Sequence, residues 1–500
     1  NAVSVNVNDI SGCVTGSGTT FAVNVDTGNL TIGNVSTTGL TSFTDTDFTL
    51  GLGTISQCAG CTIGSTGSIA LTAGFNGSVN VNGAGISSTG GSVTLTAGSN
   101  DGDVIVSAGA PVSGSGAVSL LGGTRGSITV GAAVSSTGST LTLTSGPAGG
   151  ESVTIENGAT ATGNTGVAVT TQSLILNGTG TLTATNNNVA VQSNLATTAL
   201  SVTMGSGSAI NATSAGSDVT FNNTTAGSIT INNAGLGTIN ANDTVVLNGG
   251  ANAVSVNVND IAGVVTGSGT SFAVSVDTNN LSVGAVSASA GVGAFINTAS
   301  AVGQGSITAV AGGGVSSTGA LTFTAGTNGS LALNANVTST ASILNLTGGT
   351  AAGTGVTVAT GILGRGQTGV NVGAGALTLT GTGTITATNN NVSVQSTLAT
   401  NALSVTMGNG SALNAAAAGA DVTFNDTAAG AITINNAGLG TINANDTVVL
   451  NGGAGAVSTN VNNINGCVTG SGTTFSVAID TGNLTIGNVS TTGLTTFTNT

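Results

Sequence analysis

Short runs of alternating apolar and polar residues fill the chain. AVSVNVNDI, starting at Ala2, sets Val3, Val5 and Val7 on one side and polar residues on the other. FAVNVDTGNLTIGNV does the same around Phe21, Val23 and Val25. A period of two is that of a strand with one buried face. Between residues 51 and 163 the runs SVNVNG, SVTLTAG, DVIVSAG, SITVG, TLTLTSG and SVTIENG follow one another, each closed by Gly, Asn or Ser. No window keeps a period of 3.6, and Gly recurs too often for helices.

The runs are themselves periodic. GSIALTAG at Gly67 returns as GSVTLTAG at Gly91, and AVSLLGG at Ala117 and TLTLTSG at Thr140 continue the series at nearly the same spacing. A short third segment, GISSTG or AVSSTG, sits between the longer runs. Two or three strands per unit, with Gly and Asn at corners that need positive φ, predict an all-β chain folded as a right-handed parallel β-helix, or β-solenoid. Rungs of about 24 residues stacked about 4.8 Å apart give about 20 rungs and a rod near 100 Å, one continuous solenoid over residues 1–500. Inward Val, Ile and Leu form ladders along the axis, and each rung is stable only against its neighbours.

A longer repeat overlies the short one. The stretch from Thr165 to Ile261 returns from Thr368 to Ile464, an offset of 203. The opening text NAVSVNVNDI returns at Asn252, an offset of 251, and Val3 has a further counterpart at Val457. The long repeats are therefore 1–251, 252–454 and a partial 455–500. The two offsets differ by 251 − 203 = 48, twice the rung length, which predicts an insertion of two whole rungs in the first repeat.

Composition narrows function. The net charge is −14, from 16 acidic residues against two Arg, with no Lys and no His. Nothing neutralises phosphates, so nucleic acid is excluded as a partner, as is attraction to anionic membranes. No run of about 20 apolar residues predicts a membrane-spanning helix. The chain opens on Asn and carries no signal peptide, which reads as a mature fragment or a window of a longer protein. High Gly with low charge would suit a disordered low-complexity chain, but the alternation of Val, Ile, Leu and Thr does not.

Catalysis finds no support. Ser and Thr are abundant but have no base to activate them, because His, Lys and Tyr are absent and only Arg125 and Arg365 are basic. The reading is of a non-enzyme without cofactor. The acids are scattered; the nearest pairs, Asp45/Asp47 and Asp101/Asp103, would share one face of a strand and could suit a weak Ca²⁺ site, although solvent-facing turn acids account for them more simply. Asp26, Asp277 and Asp480 hold one place in VDTGNL, VDTNNL and IDTGNL, and Asp243 and Asp446 recur in NANDTVVLNGG. These five read as structural corners in which the carboxylate accepts backbone N–H groups two residues on.

The four cysteines give a sharper signal. Cys58 and Cys61 form a CxxC, and without His or further Cys it has no zinc set to complete. Cys467 is the counterpart of Cys13, whereas the middle copy has Val264 there and no CxxC. Along the sequence Cys13 precedes the pair by close to two rungs. Either Cys13 bonds Cys58 or Cys61, or the pair closes on itself; a disulfide would imply an oxidising compartment. LTLTGTGTITAT alternates Thr from Thr378 to Thr388, as do Thr179, Thr181, Thr183 and Thr185, an array that could match ice if flat, or merely clothe outer strand faces. Asn-x-Thr/Ser sequons leave glycosylation open. Eleven Phe are too few for a carbohydrate stacking platform; Phe21, Phe272 and Phe475, and Phe221 and Phe424, read as core or corner plugs.

The runs SVTLTAG, SVNVNGAGISSTGGSVTLTAG and SITVGAAVSSTG resemble the filamentous haemagglutinin type of repeat found in bacterial two-partner-secreted and autotransporter-like exoproteins. The resemblance implies a right-handed β-solenoid, export across an outer membrane, and a stalk or adhesive fibre. This chain carries less charge than those proteins, and its long copies are more alike. The expectation is a secreted, extracellular or cell-surface structural filament whose partners are further copies of itself, end to end and side by side, without membrane insertion. The alternative is an adhesin stalk with its binding domain elsewhere, and after that an ice-binding surface.

Overall fold

The structure, a computed structural model, describes residues 1–195, 199–223, 227–233, 237–397, 402–426, 430–436 and 440–500. Among the described residues every strand pairs in parallel and no helix forms, which makes the chain a parallel β-solenoid of about 19 turns with rungs of about 24 residues. The chain divides into two compact units, Asn1–Gly263 and Val264–Thr500.

Three columns of strands run along each unit. In the amino-terminal unit one column passes through Ile69–Thr72, Val93–Thr96, Val118–Leu121 and Thr140–Thr144, in register Ile69↔Val93↔Val118↔Leu141. Alternation along each strand turns Val93 and Leu95 inward and leaves Thr94 half-buried outside. Identical register stacks inward side chains on inward side chains, so each is removed from water by the turns above and below. Burying one such aliphatic group is worth about 1.5–3 kcal/mol. The core phenylalanines join these ladders: Phe21 and Phe43 lie 5.8 Å apart, and Phe295 and Phe323 stack at 5.0 Å. Phe272, Phe475, Phe221 and Phe424 are fully buried.

Corners are built from backbone and small hydroxyls. The second Ser of each SSTG segment points inward at a corner and donates to a glycine carbonyl of the preceding turn, Ser88 to Gly67 at 2.6 Å and Ser136 to Gly116 at 2.8 Å. Ser317 repeats this in the carboxy-terminal unit, donating to Gly291 at 2.7 Å. The corner after VDT needs a left-handed residue, and the three copies supply Gly28 at φ 89°, Asn279 at 57° and Gly482 at 82°.

The long repeat is not a whole number of turns. In the amino-terminal unit Val3–Val7 heads a column that runs through Phe21–Val25, Thr41–Asp45 and Ile69–Thr72 to Val219–Asn222. Its counterpart Val254–Val258 instead pairs with Ile229–Asn233, on the column that passes through Leu200–Met204, Ser173–Leu176 and Ile55–Gln57. The carboxy-terminal unit repeats the displacement. Phe272–Val276 pairs with Gly293–Asn297, which in turn pairs with Leu321–Thr324, whereas its counterpart Phe475–Ile479 pairs back through Val457–Val461 and Ile432–Asn436 to the neighbouring column. Each long bent strand, such as Leu30–Thr37 or Thr238–Asn248, serves two faces in succession. Counting faces in chain order on that basis, 31 steps separate Val3–Val7 from Val254–Val258 and 25 separate Phe272–Val276 from Phe475–Ile479. At three faces per turn these are ten and one-third and eight and one-third turns. The difference of 31 − 25 = 6 steps is two turns, matching the difference between the two sequence offsets.

Whole-turn modularity has a direct test. Deleting residues 93–140 brings Leu141 into the place of Val93, its column mate two turns earlier. The shortened protein is expected to fold, with an unchanged far-ultraviolet β spectrum and a cooperative melt. A deletion of half a turn, residues 93–104, moves each later strand onto a foreign column and is expected to give an aggregating product.

Candidate functional site

Three places gather distinctive chemistry. The first is the corner after Thr41–Asp45. Asp45 ends that strand and turns inward, 2 % exposed. The Asp47 N–H donates to Asp45 Oδ1 at 2.9 Å, and Asp45 Oδ2 is buried with no hydrogen-bond partner. Loss of solvation on burial raises the Asp45 carboxyl above its ordinary value; the Asp47 N–H opposes this, and the negative charges of Asp47, Asp26 and Asp9 add to it. Asp47 goes the other way. The backbone N–H and hydroxyl of Thr49, with the Gly28 N–H, hold it below the usual carboxylate range. The strand ends at Asp45, and both carboxylates are buried, Asp47 at 3 % exposed, so neither is the solvent-facing turn acid expected of this pair.

The other copies show what this corner prefers. Asn297 and Asn499 occupy the place of Asp45, paired to Val276 and Ile479 as Asp45 is to Val25. Asn297 Nδ2 donates to the Asn279 carbonyl at 3.0 Å and its Oδ1 accepts the Ala299 N–H at 2.9 Å. Asn499 Nδ2 donates to the Gly482 carbonyl at 3.0 Å. An ionised Asp45 has no proton for the equivalent Gly28 carbonyl. In the other pair, Asp101 and Asp103, the two carboxylates have different partners. Asp103 accepts the Ser127 N–H at 2.7 Å, while Asp101 faces Arg125 at 3.7 Å in an exposed pair of small energetic weight. Among the described residues no group of three or more Asp, Glu, Cys or His is placed to hold a metal ion.

The recurrent aspartates lie at corners, with a wiring different from the expected one. The Asp26 N–H donates to the Val7 and Asn8 carbonyls, and its Oδ1 accepts the Thr46 hydroxyl of the next turn at 3.1 Å. Asp277 accepts the Thr298 hydroxyl at 2.8 Å. The Asp480 N–H donates to the Val461 and Asn462 carbonyls. Asp243 and Asp446 sit at the bends of two long strands, Thr238–Asn248 and Thr441–Asn451, each serving two faces.

The second place is the cysteine corner. Cys58 and Cys61 are joined by a disulfide, with Cα atoms 5.5 Å apart, and Cys13 and Cys467 are unpaired. Cys13 pairs with Thr31, which pairs with Ser56, so it stands two turns from the Cys58 region. Two turns are about 9.6 Å, beyond the 4.4–6.8 Å that a disulfide spans between Cα atoms. Gln57 wires the corner from inside, its Nε2 donating to the Cys61 and Gly85 carbonyls at 2.7 and 2.8 Å and its Oε1 accepting the Gly83 N–H. A buried glutamine between Ile55 and Cys58 was the signal that this corner is closed by polar side-chain chemistry. Alkylation of the unreduced protein followed by mass spectrometry is expected to label Cys13 and Cys467 and to leave Cys58 and Cys61 linked.

The third place is apolar. Phe48 is 76 % exposed and its ring lies 5.6 Å from that of Phe75; Leu50, two residues on, is exposed as well. These two rings contrast with the five recurrent phenylalanines, all of which are buried. The threonine runs also come apart. Thr378 lies in Ala376–Leu379 and Thr384 and Thr386 in Thr384–Ala387, strands of different columns separated by a corner at Gly381, φ 49°. Thr181 and Thr183 lie in Thr181–Ala184, whereas Thr179 lies outside it, its N–H bonded to Asn157. One run thus does not make one flat plane.

No protein-family model, curated protein or solved structure matches this chain. Among the described residues no helix is long and apolar enough to cross a membrane.

Proposed function

We propose that the chain is a structural filament protein, secreted and extracellular, built from tandem β-solenoid repeats of the filamentous haemagglutinin kind. The carrying observation is that the long repeats differ by two whole turns while the columns stay in register. A fold that lengthens by turns without disturbing its core suits a protein whose task is length. Three other features support the reading. The Cys58–Cys61 disulfide suits an oxidising compartment. Two Arg and no Lys leave trypsin-like proteases almost nothing to cut. Outer faces of Ser, Thr and Asn with 4 % charged residues offer little repulsion between chains lying side by side. The partners are further copies of the same chain, end to end and laterally.

Electron cryo-microscopy of the native material tests this. Continuous filaments with an axial repeat near about 4.8 Å are expected. Discrete rods ending in a globular head would overturn the filament in favour of an adhesin stalk.

A further inference from the structure

One outward surface in the carboxy-terminal unit departs from simple columns of hydroxyls. A cleft of about 390 Å³ opens over four successive strands of one column: Leu321–Thr324, Ile343–Thr347, Gly369–Gly373 and Val392–Gln395. Its floor is Gly373, which stands in register between Thr347 and Gln395 and offers no side chain to fill the gap. Its wall is the adjacent outward row Asn345↔Asn371↔Ser393.

The first long repeat identifies what changed. At the positions of Asn371, Gly373 and Ser393 it has Ala168, Thr170 and Ala190, near the shared texts TGV and NNNV. Two more lining positions differ, with Ser119 at the place of Thr322 and Thr142 at that of Asn345, hydroxyls that leave the floor unchanged, whereas Thr171 and Gln172 against Ala374 and Gly375 fall outside the lining. Gly373 and Ser393 are distant in the sequence, yet the three differences meet because successive turns stack. All three act in one direction. Two methyl groups become an amide and a hydroxyl, and a threonine side chain is removed to make room.

The lining is neutral and rich in unused hydrogen-bonding capacity. Asn345 Nδ2 donates to Thr322 Oγ1 at 3.3 Å, and Asn371 Nδ2 donates to Asn345 Oδ1 at 3.1 Å. Among the described residues the ladder leaves Asn371 Oδ1, the Ser393 hydroxyl and the Gln395 amide without a protein partner. No ionisable side chain lines the cleft. Amides and hydroxyls that repeat at the turn spacing of about 4.8 Å match a ligand presenting hydroxyls at similar intervals. A charge of −14 on the chain opposes an anionic ligand.

We propose that this cleft binds a short segment of an uncharged glycan, with Asn371, Ser393 and Gln395 as the recognising groups and Gly373 as the seat of a sugar ring. The volume suits a small ligand of this size.

The test uses the whole chain and a replacement taken from the protein's own first repeat. The triple variant Asn371→Ala, Gly373→Thr, Ser393→Ala installs the residues found there. The atoms nearest a Cβ at Gly373 are the Thr397 methyl at 3.1 Å and the Thr347 methyl and hydroxyl at 3.6 and 3.7 Å, side-chain ends that can turn aside. Cello-, malto- and galacto-oligosaccharides are titrated against both proteins by saturation-transfer NMR and calorimetry, with a sulfated oligosaccharide as the charged control. Binding of at least one neutral series by the parent, with Kd tighter than about 1 mM, and a loss of tenfold or more in the variant at unchanged circular dichroism, are expected. Absence of neutral binding, equal binding by the variant, or preference for the sulfated probe would each overturn the proposal.

Discussion

Replacing Asp45 with asparagine is expected to stabilise the amino-terminal unit at neutral pH and to flatten its dependence on pH. In the parent the buried Oδ2 has no donor, and the carboxyl titrates above its ordinary value because burial disfavours the charge. A carboxyl whose folded pKa is raised contributes stability that is full below its unfolded value of about 3.9, and loses it as pH rises through the folded value. Asp47, held below its ordinary value, has the opposite sign: its contribution is present above that value and fades as pH falls. The new amide in D45N would donate to the Gly28 carbonyl as Asn297 does to Asn279 and Asn499 to Gly482. Removing one buried unsatisfied acceptor should gain about 1 kcal/mol. Urea titrations of parent and D45N at pH 7 and pH 3.5 decide the matter. The gain should appear at pH 7 and shrink at pH 3.5; an equal gain at both would show that ionisation is not its cause.

Gly98→Ala is expected to be among the most damaging small substitutions in the same unit. One corner is a ladder of glycine backbones, with the Gly74 N–H donating to Gly53 at 2.8 Å, Gly98 to Gly77 at 2.7 Å and Gly123 to Gly102 at 2.8 Å. A methyl at Gly98 would run into the carbonyls of Gly74 and Phe75, which belong to the turn beneath and cannot yield without breaking that ladder. Overpacking against fixed backbone costs about 3 kcal/mol. The loss should spread to adjacent turns, since each is stable only against its neighbours. Gly149→Ala is the control. Its methyl would meet nothing within 4 Å, and its effect should stay within about 0.5 kcal/mol. Hydrogen exchange resolved by peptide should show faster exchange through residues 69–121 in G98A and no change in G149A. Equal behaviour of the two variants would remove steric crowding as the reason for glycine in this corner.

The strands, the length of a turn and the two-turn insertion were readable because alternation and spacing are local properties of the text. The glycine and asparagine corners were readable for the same reason: VDTGNL and VDTNNL need one left-handed residue. What escaped depends on which turns lie against each other. Cys13 seemed close to the CxxC by residue count, but that count spans two turns and therefore a distance no disulfide crosses. The threonine run of residues 378–388 looked like one surface until Gly381 turned a corner within it. Phe43 and Phe48 are near neighbours in the sequence, one buried and one exposed, and only the end of the strand at Asp45 separates their fates. The cleft at Gly373 was invisible because its residues come from four turns.

The extra third of a turn in each long repeat limits what natural selection can inscribe on the surface. A residue retained through duplication is carried round to the next side, as Val3–Val7 and Val254–Val258 are on different columns of one unit. No side can keep a private character when each copy hands its sequence to the adjacent side. A plane reserved along its length for one lattice, or a flank dedicated to one binding partner, would be scrambled at every duplication. Outer chemistry that is acceptable in any direction, the neutral Ser, Thr and Asn seen throughout, survives such copying unchanged.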